Sequence, residues 1–138
     1  MALTLFGTVS DNVVALDRKS ATPLIINGDM QISQRATSVT GKTSGDYYTV
    51  DRFKQDIGSM GTWSISQATD SPTGQGFNKS LKMDCTTADA SPSSSDNLIV
   101  QTSLEGQDLQ LLKQGTSSAE SVTFSFWVKS AKTGTYIL

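Results

Sequence analysis

Along this chain the apolar positions alternate in short runs instead of recurring every three or four residues, so strands are the expected elements. The clearest run is Val122 to Lys129. There Val122, Phe124, Phe126 and Val128 occupy one face, and Thr123, Ser125, Trp127 and Lys129 the other. Thr62–Gln67 alternates in the same way, with Trp63 and Ile65 on the core face, and so does Ser80–Cys85, with Leu81, Met83 and Cys85 facing inward. Leu98 to Leu104 reads as another strand. Thr135–Leu138, beyond the Lys132-Thr133-Gly134 turn, reads as the hairpin partner of the 122–129 strand. Upstream, Ile25 to Ile32 reads as a strand broken at Asn27-Gly28-Asp29. Asn-Gly suits a tight hairpin turn, and Gly28 equally suits a bulge in one continuous strand. Thr37–Gly45 and Ala88–Asp96 are polar enough to be loops. One short helix is expected at Asp108–Gln114, with Leu109 and Leu112 on one face and Gly115 as its C-cap.

Residues 1–22 stand apart from this regularity. Leu3, Leu5, Phe6, Val9, Val13, Val14 and Leu16 are spaced unevenly and interrupted by Gly7 and Asp11-Asn12. A polar link then runs to Pro23, which biases Thr22 towards an extended backbone. A frayed terminus is one reading. A disordered tail should be poor in large hydrophobes, however, so the preferred reading is an extended arm that docks on another protein or pairs with copies of itself.

Composition agrees with β structure. Ser and Thr make up roughly a quarter of the residues, and Glu105 and Glu120 are the only glutamates, a balance that suits strands and turns better than helices. At 138 residues the chain is one domain, or one domain with an appended arm. The net charge of −2 provides no basic stripe to neutralise phosphates, which argues against nucleic-acid binding. No apolar run approaches membrane-spanning length. Met1 to Leu16 shows no basic start followed by an apolar core, so synthesis and assembly in a cytoplasm are expected. A lone Cys85 excludes an internal disulfide and reads as a small buried hydrophobe.

Chemistry is narrowed by what the sequence lacks. It contains no histidine, which removes Ser-His-Asp catalysis, imidazole proton transfer and histidine metal ligation. One cysteine and no histidine leave no set for a tetrahedral zinc site within one chain. Gly74-Gln75-Gly76 is a fragment of a phosphate-binding pattern whose neighbours Pro72 and Phe77-Asn78 read as a surface turn. Glycoside hydrolysis needs two carboxylates at a set separation, and most Asp residues here sit where turns are expected. The expectation is a protein without catalytic or metal-binding residues.

Leu24-Ile25-Ile26-Asn27-Gly28-Asp29-Met30-Gln31-Ile32-Ser33-Gln34-Arg35, followed by Tyr47-Tyr48-Thr49-Val50-Asp51-Arg52-Phe53, resembles the opening of a β-sandwich domain common in bacteriophage virion proteins, especially tail fibres. The pattern is N-G-D/A-aromatic-x-apolar-x-Q-R, then Y-T-x-D-R-W/F. Met30 replaces an aromatic residue, Ala36 a Gly and Phe53 a Trp. The stretch Val122–Lys129 with Gly134-Thr135-Tyr136 is in turn similar to the middle strands of galactose-binding-like or carbohydrate-binding-module jelly rolls.

The resemblance implies an all-β fold: a jelly-roll β-sandwich over 23–138 preceded by the 1–22 arm. A jelly roll needs about eight strands, and roughly six or seven candidates are present. The sandwich is therefore expected to be incomplete at its C-terminus, as the N-terminal piece of a longer polypeptide or with strands supplied by another chain. The implied function is a structural component of a phage particle, a tail fibre or tail-associated protein, assembled in the host cytoplasm and located in the virion. Its arm would dock on other virion proteins, its sandwich would face outward, and a homo-oligomer, with a trimer favoured, is expected. A capsid decoration or cement protein is the alternative, and a carbohydrate-binding module of a larger protein is another.

Within the motif, Asn27, Gly28, Asp29, Gln34, Arg35, Asp51 and Arg52 are structural candidates. Asp51 is expected to accept backbone N–H bonds and Arg52 to pair with a carboxylate, fixing the start of a strand. A cell-surface glycan would use an exposed aromatic platform. Trp127, Tyr47 and Tyr48 are the candidates, although Trp127 also reads as part of a second core layer. Only one of the two tyrosines can point inward on a strand. A calcium ion occurs in related jelly rolls. No EF-hand-like loop is present here, and no ligands are assigned.

Overall fold

A computed structural model describes residues 24–137. The protein is all-β: five strands in two antiparallel sheets, with almost no helix. The first sheet has the order β1-β3-β4 and is built from Ser38–Lys42 (β1), Thr62–Ala68 (β3) and Ser80–Thr87 (β4). The second pairs Phe53–Gly58 (β2) with Asn97–Thr102 (β5).

Alternation explains which faces are covered. On β2, Phe53, Gln55 and Ile57 are buried while Lys54 and Asp56 lie between them, half-buried, and pair across the strand face at 3.4 Å. Ile65 at the middle of β3 is fully buried. Tyr48, Ile57 and Ile65 form one cluster, and Val39, Trp63, Leu81, Met83 and Leu98 pack against it. Both sheets therefore contribute to a single apolar core. The chain crosses from β2 in the second sheet to β3 in the first through Ser59-Met60-Gly61, where Gly61 has φ +79°, a conformation glycine adopts without steric cost. Trp63 Nε1 donates to the Met60 carbonyl at 2.7 Å and closes that turn.

Thr62–Gln67, Ser80–Cys85 and Leu98–Leu104 fall where β3, β4 and β5 are found. Several other expectations are corrected. Thr37–Gly45 is not wholly a loop, because β1 forms within it. Its residues are mostly polar, and cross-strand bonding to β3 holds them, with Val39 the residue that meets the core. Gly41, at φ +69°, sits where the β1–β3 register shifts. Residues 25–32 form neither a hairpin nor a bulged strand. They make a compact turn in which Asn27 and Met30, not Gly28, take positive φ, because side-chain bonds to Asn27 outweigh strand pairing there. Cys85 is exposed, since the core ends at Met83 and does not reach the end of β4. The expected 108–114 helix shrinks to one 3-10 turn, Gln110–Leu112, closed by Lys113 in the left-handed conformation.

The largest correction concerns Val122–Lys129. No strand is assigned there or at 135–137, and Val122, Phe124, Phe126, Trp127 and Val128 are each more than half exposed. Alternation predicts which face would be buried, but a strand exists only where a neighbour accepts its backbone bonds. Among the described residues, none lies beside this segment in a ladder. Val100 is likewise 48% exposed although it sits opposite the buried Gln55, so the inner face of the second sheet is covered only in part.

Thr49 is buried, and its hydroxyl has no hydrogen-bond partner among the described residues. An orphaned buried hydroxyl costs more than an apolar group of the same shape. Thr49→Val is accordingly expected to raise the unfolding free energy by about 1 kcal/mol, seen as a higher urea midpoint at unchanged slope.

Candidate functional site

The turn at Asn27 and the turn at Asp51 are tied together by side chains. Asn27 Nδ2 donates to the Ile32 and Asp51 carbonyls, each at 2.9 Å, and its Oδ1 accepts the Ile32 N–H at 2.9 Å. Asp51 completes the tie in two ways. Its N–H donates to the Ile32 carbonyl at 3.0 Å, and its carboxylate accepts the Gln34 N–H at 3.0 Å. An asparagine is suited to this place: its amide both donates and accepts, and it tolerates the φ of +59° that the turn imposes. Gln67 on β3 fastens the same segment to the first sheet, donating from Nε2 to the Met30 and Gln31 carbonyls.

This brace forms one wall of an open cleft of about 530 Å³. Gln34, Arg35, Tyr47, Asp51 and Arg52 line it from the motif side, and Ser103 and Glu105 from beyond β5. Arg52 sits at the turn into β2 with φ +73°, a conformation that is strained for arginine. Its guanidinium faces Glu105 Oε1 at 3.4 Å, and both groups are substantially exposed, so the pair is worth at most about 1 kcal/mol. The Arg35 guanidinium lies over the Tyr47 ring, 5.5 Å from its centroid.

The other residues expected to matter are placed as follows. Gly28 and Asp29 are exposed in the Asn27 turn. Tyr48 is in the core, its hydroxyl donating to the Ser44 carbonyl at 2.7 Å, so it offers no open ring face to a ligand. Tyr47 is half-buried at the cleft. Trp127 is 65% exposed and borders a second, separate hollow of about 680 Å³, next to the Lys129–Asp70 ion pair at 2.7 Å. Leu3, Leu5, Phe6, Val9, Val13, Val14 and Leu16 lie outside the described residues. No group of three or more acidic or cysteine side chains is placed to hold a metal ion among the described residues. No helix there is long and apolar enough to cross a membrane.

Glu105 is the cleft residue that local sequence could not reveal. It reaches Arg52 through sheet register: β2 and β5 pair Phe53 with Thr102, so one further step sets Arg52 opposite Ser103 with Glu105 just beyond. Away from the cleft, the Asp96 carboxyl is held below the usual carboxylate range by the Ser93 N–H and hydroxyl, a local brace at the start of β5.

The fold and the cleft define an all-β protein with a braced, charged surface cleft. No family model, curated protein or solved structure matches the chain.

Proposed function

We propose that this chain is a structural component of a phage particle, a tail fibre or tail-associated protein with no catalytic role. Its β structure belongs to a jelly-roll sandwich that faces outward. Residues 1–22 dock on other virion proteins, and the chain assembles as a trimer.

The observation that carries this reading is the use made of the motif residues on which the resemblance rests. Asn27 spends its side-chain amide on the Ile32 and Asp51 backbone and Asp51 its carboxylate on the Gln34 N–H, bracing the turns that lead into the sheets. Residues committed in this way serve architecture, which suits a virion part better than a reaction centre. The absence of histidine from the sequence points the same way.

Immunogold labelling of purified particles of the phage encoding this chain tests the proposal. Label on the tail or its fibres is expected. Label confined to the shell would replace the tail assignment with a decoration protein, and unlabelled particles would overturn the virion role. The full chain is also expected to join particles when added to a deletion mutant, and a chain lacking residues 1–22 to fail.

A further inference from the structure

We propose that residues 122–129 are a strap that closes onto the free edge of β4 as a fourth strand of the first sheet, antiparallel and with Lys129 opposite Ser80. The inference concerns a motion within one chain and does not depend on where the chain sits in a particle.

Two halves of a ladder face each other across a gap. In the order β1-β3-β4, β4 has a neighbour on one side, and its other side makes no backbone bond among the described residues. Beside that edge lies the hollow of about 680 Å³, walled by Ser80–Asp84 on β4 and by Trp127, Val128 and Lys129 on the strap. Part of the strap already has the side-chain order of a strand. The rings of Phe124 and Phe126 lie together with centroids 5.4 Å apart, the relation of residues i and i+2 on one strand face.

An ion pair sets the sense and the register. Lys129 Nζ reaches Asp70 Oδ2 at 2.7 Å, and the Asp70 carbonyl accepts the Ser80 hydroxyl at 2.6 Å, so Lys129 is pinned at the start of β4. The strap precedes Lys129, and β4 follows Ser80. From that pin the two overlap only when they run antiparallel, and opposite residues then share a face. Val128 meets Leu81, Phe126 meets Met83 and Phe124 meets Cys85, on the face where Leu81 and Met83 already pack against the core. Trp127 falls beside Lys82, and Ser125 beside Asp84, on the opposite face. A slip of one residue would turn the phenylalanines against polar partners such as Lys82 and Asp84. A slip of two along β4 would set Lys129 against Lys82, like charge on like.

Closure has a driving force and a consequence. Phe124, Phe126 and Val128 are each more than half exposed in the open form, and pairing covers them beside the core while it satisfies backbone groups on both edges. An unpaired edge strand is also a template for a strand from another chain. The strap and any such strand compete for the same backbone groups of β4, so the strap decides whether that edge is open to assembly.

The test is NMR on the isotope-labelled full chain. Cross-strand proton contacts are expected between Val128 and Leu81, Phe126 and Met83, and Phe124 and Cys85, with slowed amide exchange along residues 123–129. Ser125→Pro, at an exposed position, is expected to speed exchange of the strap amides by roughly tenfold or more while those of β2 and β5 keep their rates. Lys129→Glu is expected to speed strap exchange roughly two- to fivefold, and Asp70→Lys in the same chain to restore it. Strap amides that exchange as fast as an unfolded chain, contacts in another register, or contacts seen only between differently labelled chains would each overturn the proposal. So would protection that survives Ser125→Pro, or a strap rate that Lys129→Glu leaves unchanged. None of these outcomes bears on particle labelling, so the two readings fail separately.

Discussion

Replacing Asn27 by alanine is expected to destabilise the protein by roughly 4–5 kcal/mol. Three hydrogen bonds disappear with the side chain, each worth about 1 kcal/mol net. Alanine must also take up a φ of +59°, at a cost of about 1–2 kcal/mol that glycine would avoid. Asn27→Gly should therefore be the milder change by about that amount. Urea unfolding of the full chain separates the contributions, because a loss of midpoint at constant slope reports stability alone. Equal midpoints for Asn27→Ala and the unaltered chain would mean that the brace contributes nothing.

Ile65→Ala is expected to cost about 2–5 kcal/mol, through lost burial and the cavity left behind. Ile65 is fully buried at the middle of β3, and only Tyr48, Val50, Phe53 and Ile57 join it as buried hydrophobes among the described residues. A core this small has few neighbours able to close around a void. Against a total stability of about 5–15 kcal/mol for an ordinary domain, that loss would leave much of the population unfolded at moderate temperature. Ile65→Val, which removes one methylene, should cost only about 0.5–1.5 kcal/mol. Thermal unfolding followed by circular dichroism gives both values, and similar melting temperatures for the two variants would contradict this account of the core.

Strands were legible in the sequence where alternation coincided with pairing partners nearby in the chain. Thr62–Gln67 and Ser80–Cys85 are of this kind, and they lie side by side in the first sheet. Alternation misled at Val122–Lys129, because it reports which side chains want cover without reporting whether a neighbouring strand exists. It was silent at Ser38–Lys42, where polar residues pair through the backbone and only Val39 signals an inner face. Asn27-Gly28 drew the opposite error. The dipeptide announces a turn correctly, but the hairpin that usually accompanies it is displaced by Asn27's own side-chain bonds.

The cleft was half legible. Gln34, Arg35, Asp51 and Arg52 stand out as polar residues at fixed spacing within two short segments. Their shared cleft with Glu105 depends on the β2–β5 register, which no local pattern encodes. Tyr47 and Tyr48 show the same division: adjacency requires that they point in different directions, while only the fold decides that Tyr48 goes to the core and Tyr47 to the cleft.

The Asn27 brace also carries a clock. An asparagine followed by glycine is prone to attack by the next backbone nitrogen, with release of ammonia and hydrolysis of the resulting imide to an acid. Here that change would turn Nδ2, which donates to the Ile32 and Asp51 carbonyls, into a carboxylate oxygen facing the same two acceptors. While the turn is intact, those bonds fix the side-chain amide in one orientation, and attack needs the amide free to turn towards the Gly28 nitrogen. Each local opening permits it, and a chain once converted opens there more readily, because it has lost those two donated bonds. Chemical age would thus enter this protein at one turn, and an old preparation would differ from a fresh one first at the junction between residues 27 and 51.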